Sequence, residues 1–317
     1  MTPSPAVTVV IPAYDRAATI RPAIESVLRQ TWRDFELVVV DDGSRDGTPD
    51  VVRAIDDPRL RLIETPRNMG ASAARNLGAE EARAPWVAFQ DSDDEWLPLK
   101  LEKQMARLLA PRPEGAPDWV AAYCGMLILG RAREAAPKGT DARLDARYFP
   151  PSGIGLVEGD ILPALLRRSL ISTQTLVARR DRLLEVGGFD PEMKARIDWD
   201  CALRLAPLGP IAFVDEPLVL QRFSPNSITA DAPRKLAARL RLVDKHAALY
   251  ADRPAELALQ HYGIASEQRH LGDLAGARRS LARARALDPG EPRYWAMSAL
   301  VAARSLVPRR RAALPRG

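Results

Sequence analysis

The stretch from Glu36 to Ser44, ELVVVDDGS, joins an apolar run rich in β-branched residues to a turn of acidic and small polar residues. Two other stretches of the first ninety residues have the same arrangement: VTVVI at 7–11 precedes PAYD, and WVAF at 86–89 precedes QDSDD. Short apolar runs of this kind are typical of strands buried on both faces of a parallel sheet. The sequence therefore predicts buried strands that each end in a polar turn.

Segments with helical spacing separate these strands. They lie at 19–30, around 51–55 and at 71–84, and a further strand is predicted at 60–63. Strands connected by helices of this length form right-handed crossovers and a mainly parallel sheet with helices on its faces. We therefore expect an α/β fold. Ligands bind such sheets at the carboxyl ends of the strands, so the polar turns are expected to form one site.

The pattern is less regular beyond residue 100. Residues 130–158 are rich in Gly, Pro and Arg and are predicted to form a long loop, and the chain from 232 onward is predicted to be almost wholly helical. The intervening predictions are a helix at 99–109, strand character at 119–129, a helix at 160–168, a strand at 173–178, helices at 181–186 and 198–205, and extended segments at 211–214 and 218–223.

The turn Asp91-Ser92-Asp93-Asp94 follows the strand WVAF and carries three carboxylates in four residues. Such carboxylates repel one another unless a cation or hydrogen-bond donors compensate them. Oxygen ligands on a turn suit Mg²⁺ or Mn²⁺, which commonly share a site with phosphate oxygens. The alternative is a solvated turn that caps the next helix.

Other polar residues at the strand ends allow two interpretations each. The Asp42 carboxylate is suited to a hydrogen bond from a base or ribose, or it belongs to an ordinary capping turn. Tyr14 can stack on a nucleobase or pack at the sheet edge. Arg75 can approach a diphosphate or hold the acidic turn, and Lys100 is also expected to hold that turn.

Five motifs in this order resemble the inverting glycosyltransferases of family 2, which have the GT-A fold. The resemblance covers roughly residues 6–230. Its motifs are VVIPAY at 9–14, VVVDDGS at 38–44, NMGASAARNLG at 68–78, FQDSDDEW at 89–96, and GGFD at 187–190 with DWD at 198–200.

The resemblance assigns roles by position. It implies that Asp91 and Asp93 form a DxD motif that binds Mn²⁺ or Mg²⁺, with Asp93 the more direct ligand, and that Asp198 is the general base. The residues assigned to nucleotide-sugar binding are Pro12, Ala13, Tyr14, Asp42, Arg75, Asp91 and Ser92.

Two positions depart from the family pattern. Many members have a Glu directly before the base, where this chain has Ile197, so either Asp200 substitutes for it or burial alone tunes Asp198. Many members also have a histidine near the end of the domain, where this chain has Ser224. The resemblance therefore does not supply a histidine ligand for the metal.

The resemblance implies transfer of a sugar from a nucleotide diphosphate sugar, UDP-linked by preference, to an acceptor hydroxyl in polysaccharide or glycoconjugate synthesis. One alternative is a sugar-nucleotide nucleotidyltransferase, although the Gly-rich basic loop of that class is absent after the first strand. Another is a helical-repeat adaptor with a degenerate transferase domain. A dehydrogenase is disfavoured because no G-x-G-x-x-G follows an early strand.

Charge divides the 317-residue chain into two parts. Residues 232–317 contain 17 Lys and Arg against 7 Asp and Glu, whereas residues 1–231 have a net charge of −5. We therefore predict a transferase domain at 1–231 and a basic helical extension at 232–317, with a tetratricopeptide-like hairpin within 265–289. The basic residues of the extension are expected to form a solvated helical face, and the alternative is peripheral contact with anionic lipid or another polyanion. The sequence contains no nucleic-acid-binding motif.

The sequence does not begin with a basic stretch followed by an apolar run, so we expect no signal peptide. It also contains no run of about 18 apolar residues. Its two cysteines, Cys124 and Cys201, are too few for a disulfide scaffold. We expect a cytoplasmic protein, with a lipid-linked or other carbohydrate acceptor.

Overall fold

The computed structural model describes residues 4–130, 146–151, 157–222 and 231–306. By contact density the chain divides into two compact units, Met1–Ser227 and Ile228–Gly317. Among the described residues, no helix combines the length and the apolar character needed to cross a bilayer.

The first half of unit one alternates strands and helices as predicted. Its strands pair in parallel in the order β3-β2-β1-β4, and the apolar runs of β1, β2 and β4 are buried. The elements are β1 (Val7–Ala13), α1 (Ile20–Leu28), β2 (Phe35–Asp41), α2 (Thr48–Arg53), β3 (Leu60–Glu64), α3 (Ala71–Glu80) and β4 (Trp86–Phe89). The predicted α/β fold is confirmed.

The second half of unit one completes a mixed sheet. Its elements are β5 (Glu95–Trp96), α4 (Lys100–Leu109), β6 (Ala121–Leu129), β7 (Ala146–Phe149), α5 (Leu162–Leu165), β8 (Val177–Arg179), α6 (Arg180–Glu185), α7 (Ile197–Leu205) and β9 (Ile211–Arg222). The sheet continues from β4 in the order β8-β6-β9-β5, with β7 on β6. Of these further pairings, only β6 with β9 is parallel.

Three predictions for this half need correction. The segment predicted as a strand at 173–178 begins with a short 3-10 helix, Thr173–Thr175, and only then becomes β8. The two extended segments at 211–223 form the single strand β9. The predicted loop contains strand β7, whereas residues 131–145 and 152–156 lie outside the described residues.

Close packing of α3 on the sheet explains one glycine of the NMGASAARNLG motif. A Cβ atom at Gly78 would overlap the Val10 side chain, because the helix lies directly against β1. Glycine therefore allows α3 to approach the strand ends that carry the polar turns.

Unit two contains α8 (Ala232–Lys245), α9 (Pro254–His270), α10 (Leu274–Leu287) and α11 (Pro292–Leu306). Asp273 caps α10 by accepting a hydrogen bond from the Gly276 N–H at 2.8 Å, and Ala265, Ala277, Leu281 and Val301 form a buried cluster. The predicted hairpin is therefore α9–α10, and α11 covers part of its apolar face.

Candidate active site

The carboxyl ends of β1 and β2 are neighbours in the sheet. Ala13 is in register with Asp41, and the Asp42 N–H donates to the Ala13 carbonyl at 2.7 Å. Pro12 and Ala13 are buried, whereas the Tyr14 side chain that follows them is 41% exposed. The structure thus brings these predicted nucleotide-binding residues together and leaves the Tyr14 ring accessible for stacking.

Asp42 fixes the turn that leads into α3. Its buried carboxylate accepts hydrogen bonds from the backbone N–H groups of Met69 and Gly70, both at 2.7 Å, and from the Thr65 hydroxyl at 3.3 Å. Asp42 does not cap α2, whose first turn lacks a side-chain cap. A hydrogen bond from this carboxylate to a base or ribose stays a prediction.

The acidic turn lies beside the end of β1. The Gln90 N–H donates to the Val10 carbonyl at 3.0 Å, which extends the pairing of β4 with β1 up to the turn. The turn leads into strand β5, so it does not cap a helix. Ser92 is buried and Asp93 is partly exposed.

Asp94 anchors the acidic turn to the second half of the sheet. Its buried carboxylate accepts hydrogen bonds from the Gln174 amide at 2.9 Å and from the Arg222 N–H at 3.0 Å. Burial raises the pKa of Asp94, and the negative charges of Asp91 and Asp93 act in the same direction. Asp94 is therefore an internal anchor of the turn.

Arg75 neutralises Asp91. Its Nη2 lies 2.5 Å from Asp91 Oδ1, and the arginine side chain is buried. Its Nε and Nη1 atoms have no hydrogen-bond partner among the described residues. Arg75 thus holds the acidic turn and places a buried positive charge beside it.

Asp93 lies between charges of both signs. Burial raises its pKa, as does the negative charge of Asp91, and Arg16 and Arg75 partly offset this effect. Arg16 belongs to none of the motifs that predicted the site. Its position directly after Tyr14-Asp15, in a polar turn at a strand end, was the available signal.

Asp198 lies at the start of α7, where Arg196 adopts a left-handed backbone conformation with φ of 59°. Its carboxylate accepts a hydrogen bond from the Trp199 N–H at 2.8 Å. Burial raises the pKa of Asp198 to about 6, and the negative charge of Asp91 contributes in the same direction. The fold therefore brings Asp198 within electrostatic reach of the acidic turn.

Two side chains next to Asp198 in the sequence are buried in the protein interior. Asp200 is buried and pairs with Arg204 at 2.6 Å, so it does not substitute for the missing glutamate beside Asp198. Trp199 is buried and its indole donates to the Leu165 carbonyl at 2.7 Å.

The prediction that Lys100 holds the acidic turn is wrong. The buried Nζ of Lys100 lies 3.7 Å from the centre of the Trp96 ring and has no hydrogen-bond partner among the described residues. Burial lowers the pKa of Lys100 to about 8.

The side chains present fit a divalent cation that is shared with substrate. Asp93 and Asp91 supply hard carboxylate oxygens on a turn, although one Asp91 oxygen is bonded to Arg75. Among the described residues, no three His, Cys, Asp or Glu side chains form a metal-binding group. A Mg²⁺-type ion bound by one or two carboxylates takes its remaining ligands from water and phosphate. Ser224 lies outside the described residues.

Part of unit one is similar to a known family of proteins. The sequence model of the family described as "Glycosyl transferase family 2" matches residues 8–151. The chain is 48% identical over 114 residues to the succinoglycan biosynthesis protein ExoO of Rhizobium meliloti, covering 36% of this chain and 33% of that protein.

A second relative is the Escherichia coli UDP-Glc:alpha-D-GlcNAc-diphosphoundecaprenol beta-1,3-glucosyltransferase WfgD. It is 40% identical over 103 residues, which cover 32% of this chain and 41% of that protein. The matches thus span about a third to two fifths of the length of these two relatives.

Among solved structures, a similar one is the mannosyltransferase PcManGT from Pyrobaculum calidifontis in complex with GDP-Man and Mn²⁺. The TM-score is 0.60 at 21% sequence identity, and the alignment covers 96% of this chain and 82% of that one. The likeness at this identity shows the fold. Residues 8–151 therefore match the family 2 glycosyltransferase model, and the chain has the GT-A type of fold.

Proposed function

We propose that the protein is an inverting glycosyltransferase that moves a sugar from a nucleotide diphosphate sugar to an acceptor hydroxyl. The observation that carries this proposal is the proximity of two chemically different parts. The acidic turn carries Asp91 and Asp93 beside the accessible Tyr14, and Asp198 lies close enough for the charge of Asp91 to affect its pKa. A donor site and a base in one place suit a direct displacement.

In the proposed reaction, Asp198 accepts the proton of the acceptor hydroxyl while its oxygen attacks the anomeric carbon. The bond between that carbon and the diphosphate breaks in the same step, and the electron pair leaves with the diphosphate. A pKa of about 6 leaves Asp198 mostly ionised at neutral pH, yet more basic than an ordinary aspartate.

Arg75 supplies positive charge at the acidic turn, and its Nε and Nη1 atoms are buried without a hydrogen-bond partner among the described residues. Arg16 contributes a second positive charge near Asp93. A divalent cation held by Asp93 and Asp91 would offset the charge that develops on the leaving diphosphate. Donor binding and leaving-group stabilisation are thus assigned to the turns that follow β1 and β4.

The relatives support a choice of donor and acceptor. WfgD is named for UDP-glucose and a diphosphoundecaprenol acceptor, and ExoO for succinoglycan biosynthesis. The PcManGT complex contains GDP-Man and Mn²⁺. We propose a UDP-linked donor, a lipid-linked saccharide acceptor, Mn²⁺ or Mg²⁺ as cofactor, and a role in cell-envelope polysaccharide synthesis.

The test is a panel of UDP- and GDP-sugars with Mn²⁺ or Mg²⁺, assayed for thermal stabilisation and for release of nucleoside diphosphate. We expect one donor to raise the melting temperature in a metal-dependent way and to release nucleoside diphosphate when a lipid-linked acceptor is added. Release of pyrophosphate would instead indicate a nucleotidyltransferase. Failure of every nucleotide sugar to bind would favour a non-catalytic adaptor.

We also propose that unit two contacts anionic lipid at the cytoplasmic face of the membrane. Arg278, Arg279 and Arg283 are exposed on α10 and have no acidic partner among the described residues. Each basic side chain near an anionic membrane surface contributes about 1 kcal/mol to the free energy of binding.

Flotation with phosphatidylglycerol vesicles tests this contact. The wild-type protein is expected to float with them and not with neutral vesicles, and changing the three arginines to Glu should abolish flotation. The triple variant R21E/R29E/R33E makes the same charge change on exposed residues of unit one and should still float. Equal loss in both variants would contradict a specific α10 contact.

A further inference from the structure

Two adjacent residues of α3 each bind a segment that is distant in sequence. Arg75 pairs with Asp91 of the acidic turn at 2.5 Å. The Asn76 amide donates to the Phe189 carbonyl at 2.8 Å and accepts from the Phe189 N–H at 2.8 Å. Adjacent residues of a helix point about 100° apart, so one turn of α3 reaches both segments.

The contact at Phe189 is closely fitted. Gly188 has a φ of 64°, and a Cβ atom there would overlap Oδ1 of Asn76. The Phe189 ring is buried and packs edge-to-face on Phe89, the last residue of β4, with the ring centres 4.9 Å apart. The glycine pair before Phe189 thus allows its backbone to meet the Asn76 amide while its ring packs below the acidic turn.

The segment fixed at Phe189 leads directly to Asp198. Met193 and Ala195 within it are buried, and α7 begins two residues after Ala195. The acidic turn and the Asp198 segment are therefore both attached to α3, one through Arg75 and the other through Asn76. A shift of the second attachment would move the base relative to the donor side.

We infer that Asn76 is a positioning residue, which through its paired hydrogen bonds to the Phe189 backbone holds Asp198 in place against the acidic turn. This inference rests on the proposed glycosyl transfer. Misplacement of a reacting group by about 1 Å can cost on the order of 10²-fold in rate, so a positioning contact of this kind is measurable.

The test compares Asn76→Ala with Gln30→Ala. Gln30 is also a buried amide that bridges backbone groups distant in sequence, because it donates to the Leu97 carbonyl at 2.8 Å and accepts from the Leu101 N–H at 2.9 Å. We expect Asn76→Ala to reduce kcat for transfer at least tenfold while the donor Kd changes less than twofold. Gln30→Ala should lower the melting temperature but leave kcat for transfer within twofold of the wild-type value.

Hydrogen exchange gives a readout that does not need activity. In Asn76→Ala, peptides over 187–198 should exchange at least tenfold faster, whereas in Gln30→Ala they should exchange as in the wild type. Gly188→Ala provides a second route, because its clash is with Asn76 itself. In the double variant Asn76→Ala/Gly188→Ala, the fold-reduction in kcat should therefore be smaller than the product of the two single fold-reductions.

A kcat within twofold of wild type for Asn76→Ala, or unchanged exchange over 187–198, would overturn the inference. If the wild-type protein transfers no sugar from any donor, the proposed function fails. The exchange rates then still decide whether Asn76 fixes this segment.

Discussion

The two halves of the central sheet contribute to the site in different ways. The parallel half, β1 to β4, presents its polar turns through local connections, since each turn directly follows a buried strand. The mixed half contributes through contacts between distant segments, such as the bonds from Asp94 to Gln174 and to Arg222, which are 80 and 128 residues away. A donor site can thus be built from repeated local units, whereas placing the base requires the second half to pack correctly.

The largest effect is expected from Asp198→Asn, which removes the proposed base contributed by the second half. Transfer should fall by about 10²–10⁴-fold while donor binding persists, because the donor-side turns are unchanged. Asp181→Asn is a matched control on the surface helix α6, where the carboxylate pairs with Arg179. Full transferase activity in Asp198→Asn would exclude this residue as the base.

Substitutions of the neighbours Asp93 and Asp94 should have different effects, because Asp93 is the proposed metal ligand and Asp94 anchors the acidic turn. Asp93→Asn should reduce transfer by roughly 10²-fold and raise the Mn²⁺ concentration needed for half-maximal rate, since it weakens the proposed metal ligand. Asp94→Asn should instead leave the Mn²⁺ requirement unchanged and alter mainly the free energy of unfolding, because one acceptor for Gln174 or Arg222 is lost while repulsion by Asp91 and Asp93 is relieved. Titration with Mn²⁺ and denaturant unfolding measure the two effects. If Asp94→Asn raised the Mn²⁺ requirement and Asp93→Asn did not, Asp94 would be the metal ligand in place of Asp93.

The pH dependence of kcat/KM should reveal the electrostatic interaction between Asp198 in the mixed half and Asp91 in the acidic turn. Since Asp198 has a pKa of about 6 and acts as a base when ionised, kcat/KM should rise with pH through about 6 and then level off. The negative charge of Asp91 helps to raise this pKa, so Asp91→Asn should move the midpoint to lower pH. A midpoint that stays in place would show that the two carboxylates do not interact.

The smallest effect is expected in the interior of the second half, where Lys100→Met should raise stability. The pKa of Lys100 is lowered to about 8, so the buried ammonium opposes folding fully below that pH and progressively less as pH rises towards 10.5. The gain should be on the order of 2 kcal/mol at pH 7 and should shrink above pH 8.

Lys103→Met on the same helix is the control for Lys100. Lys103 is partly exposed and ion-paired with Glu216, so its replacement should give no gain in the free energy of unfolding. Thermal unfolding of both variants at pH 7 and pH 10 is the measurement. Destabilisation by Lys100→Met at both pH values would mean that contact with Trp96 outweighs the cost of burying the charge.

The amino-acid sequence alone predicted the parallel half, the polar turns at its strand ends and the carboxylates Asp91 and Asp93, whereas Asp198 became a candidate through the resemblance to family 2. Strand periodicity and turn composition are local signals, and parallel strands place their carboxyl ends at one edge. The same signals left the strand at 173–178 misplaced and the loop strand β7 unpredicted, because pairing with β6 selects those conformations.

The pairing of the charged and polar side chains depends on the folded structure. This structure assigned Arg75 to Asp91, Gln174 and Arg222 to Asp94, and the Asn76 amide to Phe189, and it buried Lys100 away from the turn that it was expected to hold. Hydrogen bonds between segments 80 to 128 residues apart depend on how the two halves pack, and no local pattern encodes that packing.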